Sequence, residues 1–283
     1  MTECKTAQKK VGYLGPRGTF SEEIALSFYR GVEGCFTPYP SISSVIMAVD
    51  SGEVAEGIVP VENSLEGSVN VTLDTLAHEA NLFVIKEMVK PIRHNLIVKP
   101  GTKHINVICS HAQALAQCRH YLDKHYPGTD RVEVESTAAA AYKVASGAKN
   151  YAAIGSLRSA EIYGLDVLDQ DIQDNSNNAT RFLVLSKEPV SAAGVKSKTS
   201  IVCQINGEKA GALYSILGEF AKRGVNLTKI ESRPSRGGFG LYVFFFDLEG
   251  SWEDEQVAHA LNAVKAESLW FKNLGSYPIN TVE

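Results

Sequence analysis

Long apolar runs are missing from this chain. Its most apolar stretch, Phe239 to Phe246, is far shorter than the roughly 20 residues that a bilayer-spanning helix needs, and Met1 to Lys10 is too polar for a signal peptide. Charge of one sign is equally scarce. The 28 basic and 32 acidic residues leave a net charge of −4, with no basic block to make a nucleic-acid footprint. Cysteines are few and scattered: Cys4, Cys35, Cys109, Cys118 and Cys203 are odd in number and include no CxxC pair, so a disulfide framework is not expected and a cytosolic location is. His111, His120 and His125 show neither HExxH nor i, i+4 spacing, and no metal is expected. Gly12, Gly15 and Gly18 are spaced GxxGxxG, which matches neither the dinucleotide fingerprint nor a P-loop, so nucleotide binding is not indicated.

What is present is an ordinary globular composition, 44% hydrophobic and 21% charged over 283 residues, long enough for about two domains at ~150 residues each. Short apolar runs (Val11 to Leu14, Gly57 to Val61, Asn106 to Cys109, Val132 to Val134, Ala152 to Ile154) alternate with segments of helical period (Ser21 to Tyr29, Ser43 to Val49, Val71 to His78, Ala112 to Leu122, Ala138 to Ala145). That alternation predicts α/β units on mostly parallel sheets. Leu82 to Val89 and His94 to Val98 are consecutive extended segments that could cross from one lobe to a second, and Thr180 to Ser186 could cross back, making a hinged cleft suited to a small ligand. One continuous sheet without a hinge is the plainer alternative. The small, polar stretch 189–198 lacks periodicity and reads as a linker between a first region, 10–188, and a second, 199–275, whose order βαββαβ is that of a ferredoxin-like sandwich.

Several turns from strand to helix place a hydroxyl where a helix begins: Thr19 with Glu22 in GPRGTFSEE, Ser110 in ICSHAQ, Ser136 with Thr137 in VESTAAAA, and Ser156. Singly these are N-caps worth roughly 1 kcal/mol each. Together, at the carboxyl edge of parallel strands, they could converge on an anion, which implies a ligand with carboxylates. The loop VPVENSLEG brings Glu62, Asn63 and Ser64 to the same edge, and the Asn-rich turn DNSNNATRF puts Thr180 and Arg181 at the mouth of the hinge.

These segments, with SHAQALAQC and, in the second region, GALYSIL and ESRP, together resemble prephenate dehydratase with a C-terminal ACT regulatory domain, over about Val11 to Leu274. Thr-Arg-Phe after the Asn-rich turn is the specific element. The resemblance implies a two-lobed catalytic region like a type II periplasmic binding protein, no cofactor, conversion of prephenate to phenylpyruvate, water and carbon dioxide, and feedback control by phenylalanine. Ala112 departs from the proline common at this position in similar proteins. By the same resemblance Thr180 assists departure of the ring hydroxyl, with Glu62 as a competing proton source and His111 as a third candidate. Asn63 and Gln113 orient the ring. Thr19, Ser64, Ser110, Ser136, Thr137, Arg181 and Phe182 line the substrate site. Phenylalanine binds near Gly211, Ala212 and Leu213 and near Glu231, Ser232, Arg233 and Pro234, between paired domains of a dimer or tetramer. The strand LYVFFF is apolar on both faces, and the face that its own helices leave open is expected to be covered by a partner subunit rather than by the catalytic region. Arogenate dehydratase is the alternative of the same reaction type, and a carboxylate sensor on the same fold is the non-enzymatic one.

Overall fold

A computed structural model describes residues 9–29, 34–147, 149–238 and 240–279; Cys4 and Phe239 lie outside these. The chain runs β1 (Lys9–Leu14), α1 (Phe20–Phe28), β2 (Gly34–Tyr39), α2 (Ile42–Ser51), β3 (Glu56–Asn63), β4 (Gly67–Ser68), α3 (Asn70–His78) and β5 (Phe83–Pro91). It continues with β6 (Asn95–Val98), β7 (Val107–Ser110), α4 (Ala112–Gln117), α5 (Arg119–His125), β8 (Asp130–Glu133), α6 (Thr137–Ala145), β9 (Tyr151–Gly155), α7 (Leu157–Tyr163), β10 (Asp166–Asp169) and β11 (Ala179–Ser186). The C-terminal region is β12 (Ser197–Gln204), α8 (Ala212–Ala221), β13 (Leu227–Pro234), β14 (Tyr242–Glu249), α9 (Glu255–Glu267) and β15 (Trp270–Pro278).

These strands make three sheets: a six-stranded one ordered β2-β1-β3-β11-β5 with β4 paired to β3, a five-stranded one ordered β10-β6-β9-β7-β8, and a four-stranded one ordered β13-β14-β12-β15. β5 and β11 belong to the first sheet and β6 to the second, so the chain crosses between sheets after β5 and returns at β11. The single-sheet alternative is excluded. By contact density the chain divides into one unit holding residues 1–45, 58–69 and 89–181, and another holding 46–57, 70–88 and 182–283. Among the described residues no helix is long and apolar enough to cross a membrane.

In the first unit the five-stranded sheet explains why its strands read as continuous apolar runs. Leu96, Val98, Ile108, Ala152 and Ile154 pack on one face with Leu115, Cys118 and Leu122, while Ile97, Cys109 and Ala153 pack on the other with Ala140, Ala141 and Val144. A sheet covered on both faces needs no polar alternation. The single helix anticipated over Ala112 to Leu122 is instead two, broken at Cys118. Asp174, from the distant Asn-rich segment, accepts from the N–H groups of His120 and Tyr121 at 3.1 and 3.4 Å and so caps α5, a long-range contact that no local pattern announces. Cys109, Cys118 and Cys203 are buried free thiols, and burial pushes the Cys118 thiol up to about 12 and that of Cys203 to about 11. Cys35 is disulfide-bonded, which the scattered spacing did not signal.

In the second unit, β12-α8-β13-β14-α9-β15 reproduces the βαββαβ order. One face of its sheet, with Ile201, Cys203, Phe246 and Leu248, packs on Ile216, Phe220, Val257 and Leu261 of α8 and α9. The other face corrects an expectation. Val202, Val243 and Phe245 are buried there by the same chain, not by a partner: Lys198 reaches Glu87 at 2.6 Å, Lys272 reaches the carbonyls of Leu76 and Ala80, and Gly275 lies so near the Val84 backbone that a Cβ would come within 2.8 Å of its carbonyl oxygen. A half-apolar sheet face next to an apolar helix stripe, Leu73, Leu76 and Ala77, is buried most cheaply by that helix.

Candidate active site

The site is built where the end of β3 meets the start of β11, within the first unit. Asn63 ends β3 and is buried. Its Oδ1 accepts from the backbone N–H groups of Leu65 and Glu66 at 3.0 and 3.1 Å, an Asx turn that fixes which way the amide points. Its Nδ2 therefore faces β11, where it donates to Asn178 Oδ1 at 2.9 Å, to the Ala179 carbonyl at 3.2 Å and to Thr180 Oγ1 at 2.9 Å. Ser64 locks the same junction: its N–H donates to the Ala179 carbonyl at 2.8 Å, and its hydroxyl donates to the Asn177 carbonyl and accepts from the Ala179 N–H. Glu62 and Arg181, one step outward on the two strands, form an ion pair at 3.5 Å.

Three residues that sequence reasoning passed over extend this network. Asn178 Nδ2 donates to Gln117 Oε1 at 2.8 Å, and the same oxygen accepts from His94 Nε2 at 3.0 Å. His94 is buried, its Nδ1 has no partner among the described residues, and desolvation pushes its pKa below the usual histidine value against the opposing pull of Gln117. It is a neutral Nε2–H donor at the end of a relay of amides that runs to Thr180. Gln117 could have been found, since it follows Gln113 by four residues on one helix face in SHAQALAQC. Asn178 sits inside the Asn-rich turn already singled out. His94 carried no signal.

The capped helix starts divide. Ser136 caps α6, accepting from Ala139 N–H at 3.0 Å, with Thr137 as the first helical residue. Ser156 caps α7 and donates to the Gly18 carbonyl at 3.2 Å. Gly18, at φ +88°, lies so close to Ser159 that a Cβ would sit 3.2 Å from that side chain. Thr19 caps α1 as expected, but its hydroxyl proton is committed to the Leu14 carbonyl at 2.9 Å, so the hydroxyl has no proton for a ligand. The acid of this motif, Glu22, takes the Gly18 N–H at 2.7 Å and the Tyr13 hydroxyl at 3.2 Å; burial first, then the Glu22 charge, drives the Tyr13 pKa up. Ser110 is not a cap. It ends β7 fully buried with its hydroxyl on the Ile154 carbonyl at 2.8 Å, and His111 caps α4 through Nδ1, which accepts from Gln113 N–H at 3.3 Å. Phe182, expected to line the site, is 2% exposed and part of the core. Gln113 is half-buried in the first turn of α4.

In the C-terminal region the register aligns Gln204 with Val243 and Val243 with Arg233, so the end of β12, which leads to Gly211, Ala212 and Leu213, and the end of β13, with Glu231 to Pro234, share one end of the sheet. Gly211 heads α8 at φ +81°, a conformation that favours glycine. Ser232 is exposed. Arg233, expected near the effector, makes a bidentate pair with Asp74 of α3 through its guanidinium, both bonds 3.0 Å.

The family profile of prephenate dehydratase matches residues 11–190, and that of the ACT domain matches residues 200–266. A prephenate dehydratase from Methanocaldococcus jannaschii is 42% identical, with 96% of this chain and 98% of the relative covered. Among solved structures, a prephenate dehydratase from Arthrobacter aurescens in complex with L-Phe superposes with a TM-score of 0.87 at 38% identity, covering 95% of this chain and 90% of the other. GqqA, described as a novel type of quorum quenching acylase, superposes with a TM-score of 0.85 at 30% identity, covering 96% and 99%.

Proposed function

Because the chain belongs to the prephenate dehydratase family and carries an ACT domain behind its catalytic region, we propose that Thr180 delivers the proton that converts the departing ring hydroxyl to water. In the reaction the bond between the ring and its carboxylate breaks, and its electron pair enters the ring as carbon dioxide leaves. The ring aromatises as the C4–O bond breaks, and one proton, passed on by the Thr180 hydroxyl and replaced on its oxygen from solvent, turns the departing hydroxide into water. Aromatisation supplies the driving force, so a weak acid held in place suffices.

The observation that supports Thr180 is the direction of its hydrogen bond. Asn63, with its amide fixed by the Asx turn, donates to Thr180 Oγ1, which therefore keeps its own proton for an outside acceptor. Glu62 carries the competing reading, but its carboxylate is engaged by Arg181. Gln113 on α4 and Ser64 frame the ring, and the α6 start at Ser136 and Thr137 offers N–H groups and a free hydroxyl proton to the side-chain carboxylate. Thr180→Val keeps the shape and removes the proton; formation of phenylpyruvate from prephenate at near-normal turnover by this folded variant overturns the assignment. Assay of prephenate beside arogenate decides which substrate is preferred, because the two differ only at the side-chain keto or amino group.

Phenylalanine is the effector in this reading, held at the sheet end shared by Gly211 to Leu213 and Glu231 to Ser232; the relative from Arthrobacter aurescens is in complex with L-Phe. We place a second copy of the chain against the open edge of β13. Ile230 is 49% exposed there, with Tyr242 and, on α8, Tyr214 also exposed.

A further inference from the structure

The strand that carries ESRP does more than border an effector site. Its continuation grips α3 at several points. Arg233 pairs bidentately with Asp74 in the middle of that helix, Arg236 pairs with Glu79 just beyond it at 2.7 Å, and His78 hydrogen-bonds the Pro234 backbone. From β15, at the opposite edge of the sheet, Lys272 donates to the carbonyls of Leu76 (2.8 Å) and Ala80, the groups that the C-terminal end of a helix leaves without partners. Burial lowers the Lys272 pKa, which marks a cation drawn out of water to serve these carbonyls.

The other end of α3 leads directly to the catalytic turn. Glu62 and Asn63 pair with Ser68 and Gly67 in the hairpin β3–β4, and Val69 alone separates that hairpin from the first residue of α3. Val69 is itself fixed by its N–H to the Val61 carbonyl at 2.9 Å. A helix is stiff along its axis, so a displacement imposed at Asp74 reaches Asn70 with little loss.

We propose that the Arg233–Asp74 pair is the coupling joint of this enzyme: Arg233 holds α3 as a positioning residue, and effector binding at the adjacent residues of β13 shifts α3 and, through it, the Glu62–Asn63 turn. The inference rests on phenylalanine being the effector. It separates Arg233 from its neighbour Ser232, whose side chain points to the opposite face of the strand. A bidentate guanidinium–carboxylate pair suits the task because it transmits both position and orientation. Allosteric control requires that the joint differ in energy between two arrangements, and loss of the joint must then lower the coupling without lowering binding.

Asp74→Asn in the full chain is the test, with phenylalanine titrated by calorimetry and turnover of prephenate measured in parallel. The expected result is phenylalanine affinity and uninhibited turnover near those of the unaltered protein, with the coupling factor reduced by about 5-fold or more. Asp74→Glu, which keeps the carboxylate, should restore part of the inhibition. If Asp74→Asn does not fold, Lys272→Gln loosens the same helix and carries the same expectation. Inhibition unchanged in both variants overturns the proposal, as does lost phenylalanine binding in Asp74→Asn, which would return the pair to the effector site. Absence of phenylalanine binding to the unaltered protein overturns the effector reading, and the coupling with it.

Discussion

The polar junction at Thr180 and the one at Asp74 are both made between segments far apart in sequence, yet from different chemistry. Amides and hydroxyls of Asn63, Asn178, Gln117 and Thr180 make the first; the second consists of full charges on long arms, Arg233 to Asp74 and Arg236 to Glu79. An amide has a direction: it donates from one atom and accepts at another, so a chain of amides can dictate where a hydroxyl proton points. A bidentate ion pair has strength and reach and passes on position and orientation, but it directs no hydroxyl proton. The difference teaches that the junction at Thr180 is built to orient a small polar group, whereas the junction at Asp74 is built to tie one whole element to another.

The sharpest break of this contrast is at its catalytic end. Thr180→Val should lower turnover by roughly 100-fold or more while leaving phenylalanine binding intact, checked by steady-state kinetics beside calorimetry. Asn63→Leu should cost turnover about 10-fold or more, through the lost orientation of Thr180, and also stability of about 1–3 kcal/mol, because the buried Asn178 amide and two N–H groups lose their partner. Denaturant melts of this variant beside Thr180→Val separate the two effects: a loss of turnover in Asn63→Leu without any loss of stability would refute the buried-network account.

A subtler test uses pH. The folded pKa of His94 is depressed by burial, so the folded state binds fewer protons than the unfolded one around and below the ordinary value of 6.5. Its contribution to stability is thus fully present above that value and is lost as pH falls below it. Melts between pH 7 and 5 should show a steeper loss for the unaltered protein than for His94→Asn, and equal slopes would remove His94 from the relay. At the C-terminal region, Ile230→Glu should shift light-scattering mass toward the monomer at micromolar concentration; a parent protein that is already monomeric there refutes the edge pairing. The smallest effect belongs to Ser156→Ala, about 1 kcal/mol of stability from the lost α7 cap, read from the melting midpoint.

Much of this architecture was legible before any coordinates. Periodicity located most helices, the crossing segments after Leu82 and at Thr180 lie in the sheets anticipated, and Glu62, Asn63, Ser64, Thr180 and Arg181 do meet. Local pattern failed where the deciding partner is remote. Asp174 breaks the helix at Cys118, the Ser110 hydroxyl turns to Ile154 instead of capping, and Phe182 is drawn into the core.

By itself the sequence determined the units that obey short-range rules: an Asx turn at Asn63, N-caps at Thr19, Ser136 and Ser156, apolar strands, and the βαββαβ order. Those depend on residues within a turn or two of one another, where sterics and hydrogen-bond reach leave little choice. Tertiary structure alone decided that the Asn63 amide donates to Thr180 Oγ1, that burial lowers the His94 pKa, and that the second face of the C-terminal sheet is closed by the same chain. Each of these is a matter of desolvation or of a bond between groups a hundred or so residues apart, and sequence spacing has no term for either.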